Sequence, residues 1–489
     1  MQSPSFLANP AKRLLIGGEW LPSQSGEEFE TLNPATAKPI ARLARGRKAD
    51  VDRAVSAARK AFEGEWSRWT PYDRQRLFVR ILDLVERRFD DLALLETMDM
   101  GAPLTRTRSL KAWLTQALMY YATQTVNTAG ATLPNSLAGS FTTFTVKAPV
   151  GVVGGIIPWN GPLISQWWVL GPVLATGCTV VMKPAEDASL TVLAIAELLL
   201  EAGLPPGVVN VVTGYGAEAG AALAEHEGVD RVAFTGSTET GRKIVAASAG
   251  NMKRLQLELG GKSPDIVFAD ANLDIAVPGA AMAAFSNSGQ ICFAGTRLFV
   301  QRKIHDEFVD KLTAFSKTLK VGNGMDPAVQ LGPLISGKQL DKVMNYVRIG
   351  SEQGATLASG GQRLGGELAE GYFVAPTVFA DVHNDMTIAR EEIFGPVVSV
   401  IPFDGVDDAV RLANDTVYGL GSAVWTENLG TALRMTQDIK AGTVWINCYG
   451  MLDPSIGFAG TKMSGYGNKG GPQHVDGFLV QKVVYIRRS

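Results

Sequence analysis

The chain has 489 residues, 46% of them hydrophobic and 19% charged, a balance that fits a soluble globular protein with a large interior divided into two or three domains. Net charge is −2 and no basic run stands out, which argues against nucleic acid and anionic membrane as partners. Its three cysteines, Cys178, Cys292 and Cys448, are odd in number and widely spaced, which excludes a disulfide framework or zinc cluster and fits a reducing cytoplasm.

The N-terminus carries Pro4, Pro10, Lys12 and Arg13 without a long apolar core, so no secretory signal is expected. Residues 14–40 place Gly-Gly and Asn-Pro turns between short apolar runs and predict small strands. A helix is predicted over 50–62 and a longer one over 71–98, with Leu77, Ile81, Leu84 and Val85 as its apolar stripe. Another helical run covers 108–127. Residues 140–147 alternate as a strand does, and so does 478–486. These two lie outside the main pattern, either pairing as an arm or standing as unrelated edges.

Residues 148–182 carry no charge over a length that could span a bilayer. Pro149, Pro158, Pro162 and Pro172, with glycines and polar Asn160 and Gln166, divide that stretch into strand, loop, short helix and strand. It reads as a buried core-and-site segment. From 150 to 259 short β-rich runs alternate with helical stretches such as 189–202, which stops at Gly203 and Pro205. A second alternating block spans 263–445. Both blocks predict an α/β fold built on largely parallel sheets with helices on both faces.

The chemistry centres on residues 285–297, where Cys292 sits between Gly289 and Gly295. Small neighbours let a substrate approach a thiol closely, but a thiol is a nucleophile only as the thiolate. His226, His305, His383 and His474 all lie in polar or charged segments, with no Cys-His pattern. Glu258 is the better candidate base, one carboxylate in an apolar stretch where desolvation raises its pKa. Taken singly, Cys292 could equally be a small buried hydrophobe and the Glu258 segment a strand entering a turn. Likewise, residues 234–241 open a helix with small hydroxyl residues, either as ordinary capping or as a phosphate site. Gly214-Tyr215-Gly216 with Gly220 imitates a Rossmann fingerprint, but its last glycine is one residue too far.

Together, Glu-Leu-Gly-Gly-Lys at 258–262 and Gly-Gln-Ile-Cys at 289–292 resemble the signature of the aldehyde dehydrogenase superfamily. The resemblance implies a Rossmann-like cofactor domain (1–130 and 150–259) and a second α/β catalytic domain (260–458). It also implies a small β arm with the C-terminal segment (131–149 and 459–489), which in the family mediates assembly, here into a homodimer or homotetramer. The implied activity is NAD-dependent oxidation of an aldehyde to the acid, with Cys292 as nucleophile, Glu258 as the base for thioester hydrolysis and Asn160 as oxyanion donor.

The resemblance assigns Gly236 and Ser237 to the pyrophosphate, Lys183 and Glu186 to the adenosine ribose, and Glu392 and Phe394 to the nicotinamide ribose. Ile156, Trp159, Phe234 and Leu259 are further cofactor-site residues, and no metal is implied. A carboxylate at Glu186 repels a 2′-phosphate, which favours NAD, with NADP weaker. The substrate pocket is implied at Gly161, Trp168, Ser286, Phe293, Leu452 and Phe458. Many small-aldehyde relatives carry aromatics where this chain has Gly161 and Ser286. That widens the tunnel and suggests a bulky apolar aldehyde, aromatic or terpenoid-like. Val169 and Asn468-Lys469 replace a lysine and an Arg-Glu pair common in the family. Lys469 then either points inward and keeps Glu258 ionised, or lies solvated at the surface while water carries the proton.

Overall fold

The computed structural model describes residues 4–488. An eight-stranded sheet runs in the order Gly465–Tyr466, Arg254–Glu258, Arg231–Thr235, Val152–Ile157, Thr179–Pro184, Val209–Val211, Leu14–Ile16, Glu19–Leu21. The strands from Arg254–Glu258 to Val209–Val211 are parallel, and those at the two edges are antiparallel. Val152–Ile157 and Thr179–Pro184 are buried at every position, as expected of strands covered on both faces. Helices Pro71–Met100, Leu104–Gln124, Trp167–Thr176 and Leu190–Glu201 pack on one face. Helices Lys48–Glu63 and Thr238–Ser248 pack on the other.

The long helix is punctuated as its residues dictate. Thr70 accepts a hydrogen bond from the Asp73 N–H, Pro71 occupies the first turn, and Gly101 ends the helix with φ 84°. It runs past the predicted residue 98 because the chain first meets a left-handed glycine at 101. The next helix begins at Leu104, directly after Pro103, earlier than the predicted 108.

A seven-stranded sheet forms the second layer system, ordered Thr356–Ser359, Thr377–Ala380, Val397–Phe403, Arg297–Gln301, Pro264–Val267, Gly421–Trp425, Thr443–Ile446. All its pairs are parallel except that of the edge strand Thr356–Ser359. The chain crosses from the first sheet to the second through Gly260 and Gly261. A Cβ on Gly260 would press on the Glu392 carboxylate, and one on Gly261 would collide with the Cys292 carbonyl. The glycine pair is what lets the two sheets meet this closely.

Strand Phe141–Pro149 pairs antiparallel with Leu479–Arg487 along its whole length, so the two outlying strands form an arm. Thr132–Leu133 adds a third strand. The stretch 459–489 divides, however: Gly465–Tyr466 joins the eight-stranded sheet beside Glu258 instead of the arm. Among the described residues no helix is long and apolar enough to cross a membrane.

Candidate active site

Loops leaving the carboxyl ends of the parallel strands gather at one edge of the first sheet, the usual place for a ligand in such folds. There a cavity of about 210 Å³ is lined by Trp159, Asn160, Gly236, Ser237, Glu258, Leu259, Cys292, Glu392 and Phe394, among others. Nine residues expected from five separate segments therefore line one cavity.

Cys292 follows a sharp reversal after helix Leu273–Phe285. Asn287 (φ 53°), Ser288 (φ 55°) and Gly289 (φ 71°) are consecutively left-handed. Burial pushes the Cys292 thiol up to about 12; the Lys469 ammonium opposes that rise, while the Glu258 and Glu392 carboxylates add to it. Attack therefore requires that this proton first be lost, because only the thiolate is the nucleophile. Asn160 donates one side-chain N–H to the Gln290 carbonyl at 2.9 Å, two residues before the thiol. Its amide has a second N–H, and Asn160 lines the cavity.

Glu258 ends the strand Arg254–Glu258. Both carboxylate oxygens are buried and have no hydrogen-bond partner among the described residues. Burial raises this carboxyl to about 7, with the Lys469 ammonium pulling the other way. A carboxylate with free lone pairs and a pKa near neutrality suits a general base. Lys469 is buried, only 9% exposed, which goes against its solvated reading, but its ammonium opposes the rise of Glu258 without cancelling it. Gln256, two residues before Glu258 on the same strand face, donates to the Asn468 carbonyl at 2.6 Å and ties this segment down.

On the cofactor side, Ser237 caps helix Thr238–Ser248, its hydroxyl accepting from the Thr240 N–H at 3.2 Å. Capping and anion binding are compatible here, because the other first-turn N–H groups have no intrahelical acceptor. A Cβ on Gly236 would press into the Phe234 ring. Ile156, Phe234 and Leu259 belong to one buried apolar cluster beneath this turn. Lys183 and Glu186 form an ion pair of 2.9 Å. Burial alone would lift the Glu186 carboxyl, but the Lys183 ammonium and hydrogen bonds, one from the Gly216 N–H, hold it below its ordinary range. Of the glycines that imitate a Rossmann fingerprint, Gly216 thus serves here as a neighbour of Glu186 and Gly220 lies against the Lys183 side chain.

Glu392 accepts from the Gly261 N–H at 3.0 Å. Phe394 is left-handed at φ 60° and meets Trp159 edge to face at 5.3 Å. Gln339 donates to the Ile393 and Phe394 carbonyls at 3.1 and 2.8 Å. Free helix N–H groups, a glycine turn that admits a close approach, and a carboxylate on the cavity wall fit a dinucleotide.

Beside Cys292 on the other side, Phe293 packs against Trp445 (5.6 Å between ring centroids) and Phe458 (5.7 Å), with Leu452 and Tyr449 in the same cluster. Trp168 meets Trp113 at 4.9 Å and abuts Gly470. A Cβ on Gly161 would meet nothing within 4 Å. Ser286 is half-buried at the end of its helix and is not part of that aromatic cluster. His474, expected in a polar segment, is instead buried between Trp168, Tyr121 and Phe478, because its short helix Gly471–Asp476 packs against helix Trp167–Thr176.

Sequence reasoning missed Glu96, Asp99, Asn287, Gln339, Trp113 and Trp445. Glu96 accepts from the Leu163 N–H at 3.1 Å, in the turn after Asn160, and Asp99 accepts from the Leu190 N–H at 2.8 Å. Burial lifts both carboxyls to about 7. Their position among the apolar residues Leu92, Leu95 and Met100 was a readable signal, since a solvated carboxylate rarely shares that helix face.

Residues 20–484 match the sequence model of the Aldehyde dehydrogenase family. The chain is 45% identical over 475 residues to the mitochondrial benzaldehyde dehydrogenase of Antirrhinum majus, covering 96% of this chain and 88% of that protein. The NAD+ complex of aldehyde dehydrogenase from Bacillus cereus superposes with a TM-score of 0.97 at 44% identity, over 100% of this chain and 99% of that one. The betaine aldehyde dehydrogenase of Staphylococcus aureus, in complex with NAD+, gives 0.97 at 38% identity, over 99% and 96%. The chain belongs to the aldehyde dehydrogenase family and is an NAD-dependent aldehyde dehydrogenase.

Proposed function

We propose that the preferred substrate is a bulky apolar aldehyde, aromatic or terpenoid-like, attacked by Cys292. The observation that carries this reading is the ring cluster Phe293, Trp445 and Phe458 next to the nucleophile, with open space at Gly161. Aromatic walls without a charged partner reward apolar area and ring stacking. The benzaldehyde dehydrogenase relative supports the aromatic class.

Lys183 and Glu186 hold the adenosine ribose, Gly236 and Ser237 the pyrophosphate, and Glu392 and Phe394 the nicotinamide ribose; Ile156, Trp159, Phe234 and Leu259 shape the remaining walls. NAD, when bound, accepts the hydride. The Cys292 thiol gives its proton to solvent water and its sulfur bonds to the aldehyde carbon, while the free Asn160 N–H faces the developing oxyanion. Such a preorganised donor lowers the barrier by about 3 kcal/mol. Loss of hydride from the resulting thiohemiacetal leaves a thioester on Cys292. Glu258 then takes a proton from water, the hydroxide oxygen bonds to the acyl carbon, and the Cys292 sulfur leaves as the acid is released.

In this reading residues 1–130 and 150–259 form the cofactor half and 260–458 the catalytic half. The arm of 131–149 and the C-terminal strand presents Val146, Val483, Tyr485 and Ile486 outward, a face suited to a homodimer or homotetramer. The free cysteines suit a cytoplasmic enzyme. A panel of aldehydes with NAD and NADP, ranked by kcat/KM, tests the substrate class. Benzaldehyde or a terpenoid aldehyde should lead acetaldehyde and betaine aldehyde; either of the latter leading would overturn it.

A further inference from the structure

The oxyanion donor and the nucleophile lie on segments far apart in sequence, and one side chain spans them. The Asn287 Nδ2 donates to the backbone carbonyl of Asn160 at 3.1 Å and to that of Gln290 at 3.3 Å. The Gln290 carbonyl is the same group that receives the Asn160 side chain. Gln290 in turn is locked, its Nε2 donating to the Asn287 carbonyl at 3.1 Å and its Oε1 accepting from the Ile335 N–H at 2.9 Å. The three residues form a closed ring of hydrogen bonds around the loop that ends at Cys292.

This arrangement is costly for the fold alone. Asn287 is buried and left-handed at φ 53°, and its Oδ1 is buried with no partner among the described residues. Glycine would remove both the strain and the orphaned oxygen. A residue kept in a strained, half-satisfied state at a reaction centre points to function. We propose that Asn287 is a positioning residue for the oxyanion donor. Its amide fixes the Asn160 backbone to the nucleophile loop, so that the free Asn160 N–H and the Cys292 thiol face one carbon. The proposal rests on the roles assigned above to Asn160 and Cys292.

The test follows NADH formation in the first turnover by stopped flow, with saturating NAD and benzaldehyde, alongside NAD affinity and thermal stability. Asn287→Gly keeps the left-handed backbone and loses only the amide. It should fold at least as stably as the parent and bind NAD equally, yet slow the first turnover by roughly 10- to 100-fold. Asn287→Asp is isosteric and tolerates the same backbone but replaces the donor with an acceptor. It should be at least as slow, whereas a role in filling space alone would leave it fast. In an Asn160→Ala background, Asn287→Gly should cost less than about threefold, because the group it positions is gone. A wild-type first turnover in Asn287→Gly or Asn287→Asp overturns the proposal, as do losses that multiply in the double variant. If Asn160→Ala alone leaves the first turnover unchanged, the assignment of Asn160 fails, and the proposal with it.

Discussion

Phe458 and Lys469 pair backbone to backbone, the N–H of each donating to the carbonyl of the other at 2.7 Å. One residue is a wall of the proposed aldehyde tunnel, and the other is the cation that opposes the upward shift of both Glu258 and Cys292. The bridge holds the lysine on the buried side of its turn.

Replacing Lys469 with Met should therefore move the acidic limb of the pH–rate profile. In the proposed mechanism turnover requires Glu258 deprotonated, so it falls as pH drops through about 7. Without the ammonium the carboxyl rises further, and the limb should shift by about one unit to higher pH. Turnover at pH 7 then drops several-fold, with NAD affinity unchanged. An unmoved profile would separate Lys469 from the base.

Glu186 and Lys183 make a second coupled pair, and its disruption should change cofactor choice. Glu186→Ser removes the negative charge that a 2′-phosphate would meet and frees the Lys183 ammonium from its 2.9 Å partner. The kcat/KM ratio of NAD to NADP should narrow by about tenfold or more, an effect of roughly 1.4 kcal/mol. An unchanged ratio would place ribose reading elsewhere.

Gly161→Phe tests the width of the tunnel. The space beside Gly161 is open, with nothing within 4 Å of an added Cβ. The variant should fold normally and lose about tenfold or more in kcat/KM for benzaldehyde, with little loss for acetaldehyde. Equal losses for both would mean that the ring disturbs Asn160 next to it.

The strand–helix alternation was legible because strands covered on both faces must be apolar throughout, as Val152–Ile157 is. Cys292 and Glu258 stood out through the resemblance of 258–262 and 289–292 together to a family signature, since singly a thiol between glycines and a carboxylate in an apolar run are each ambiguous. The direction of Lys469 was not, since a lysine in a turn has no periodicity to betray its side; only the pairing with Phe458 sets it. Glu96 was overlooked because carboxylates on a helix ordinarily face water, and its partner, the Leu163 N–H, lies 67 residues away. Asn287 escaped for a similar reason: its two acceptors come together only after the second sheet docks on the first.

The proposed reaction passes through an acyl group carried by Cys292 and released with the help of Glu258. The most direct measurement is mass spectrometry of Glu258→Gln after mixing with NAD and benzaldehyde, taken with the NADH trace. The expected result is a burst of NADH of about one per active site, then a stall, and a benzoyl group on the peptide containing Cys292. A burst with Cys292 unmodified, or the acyl group on Cys178 or Cys448, would contradict it.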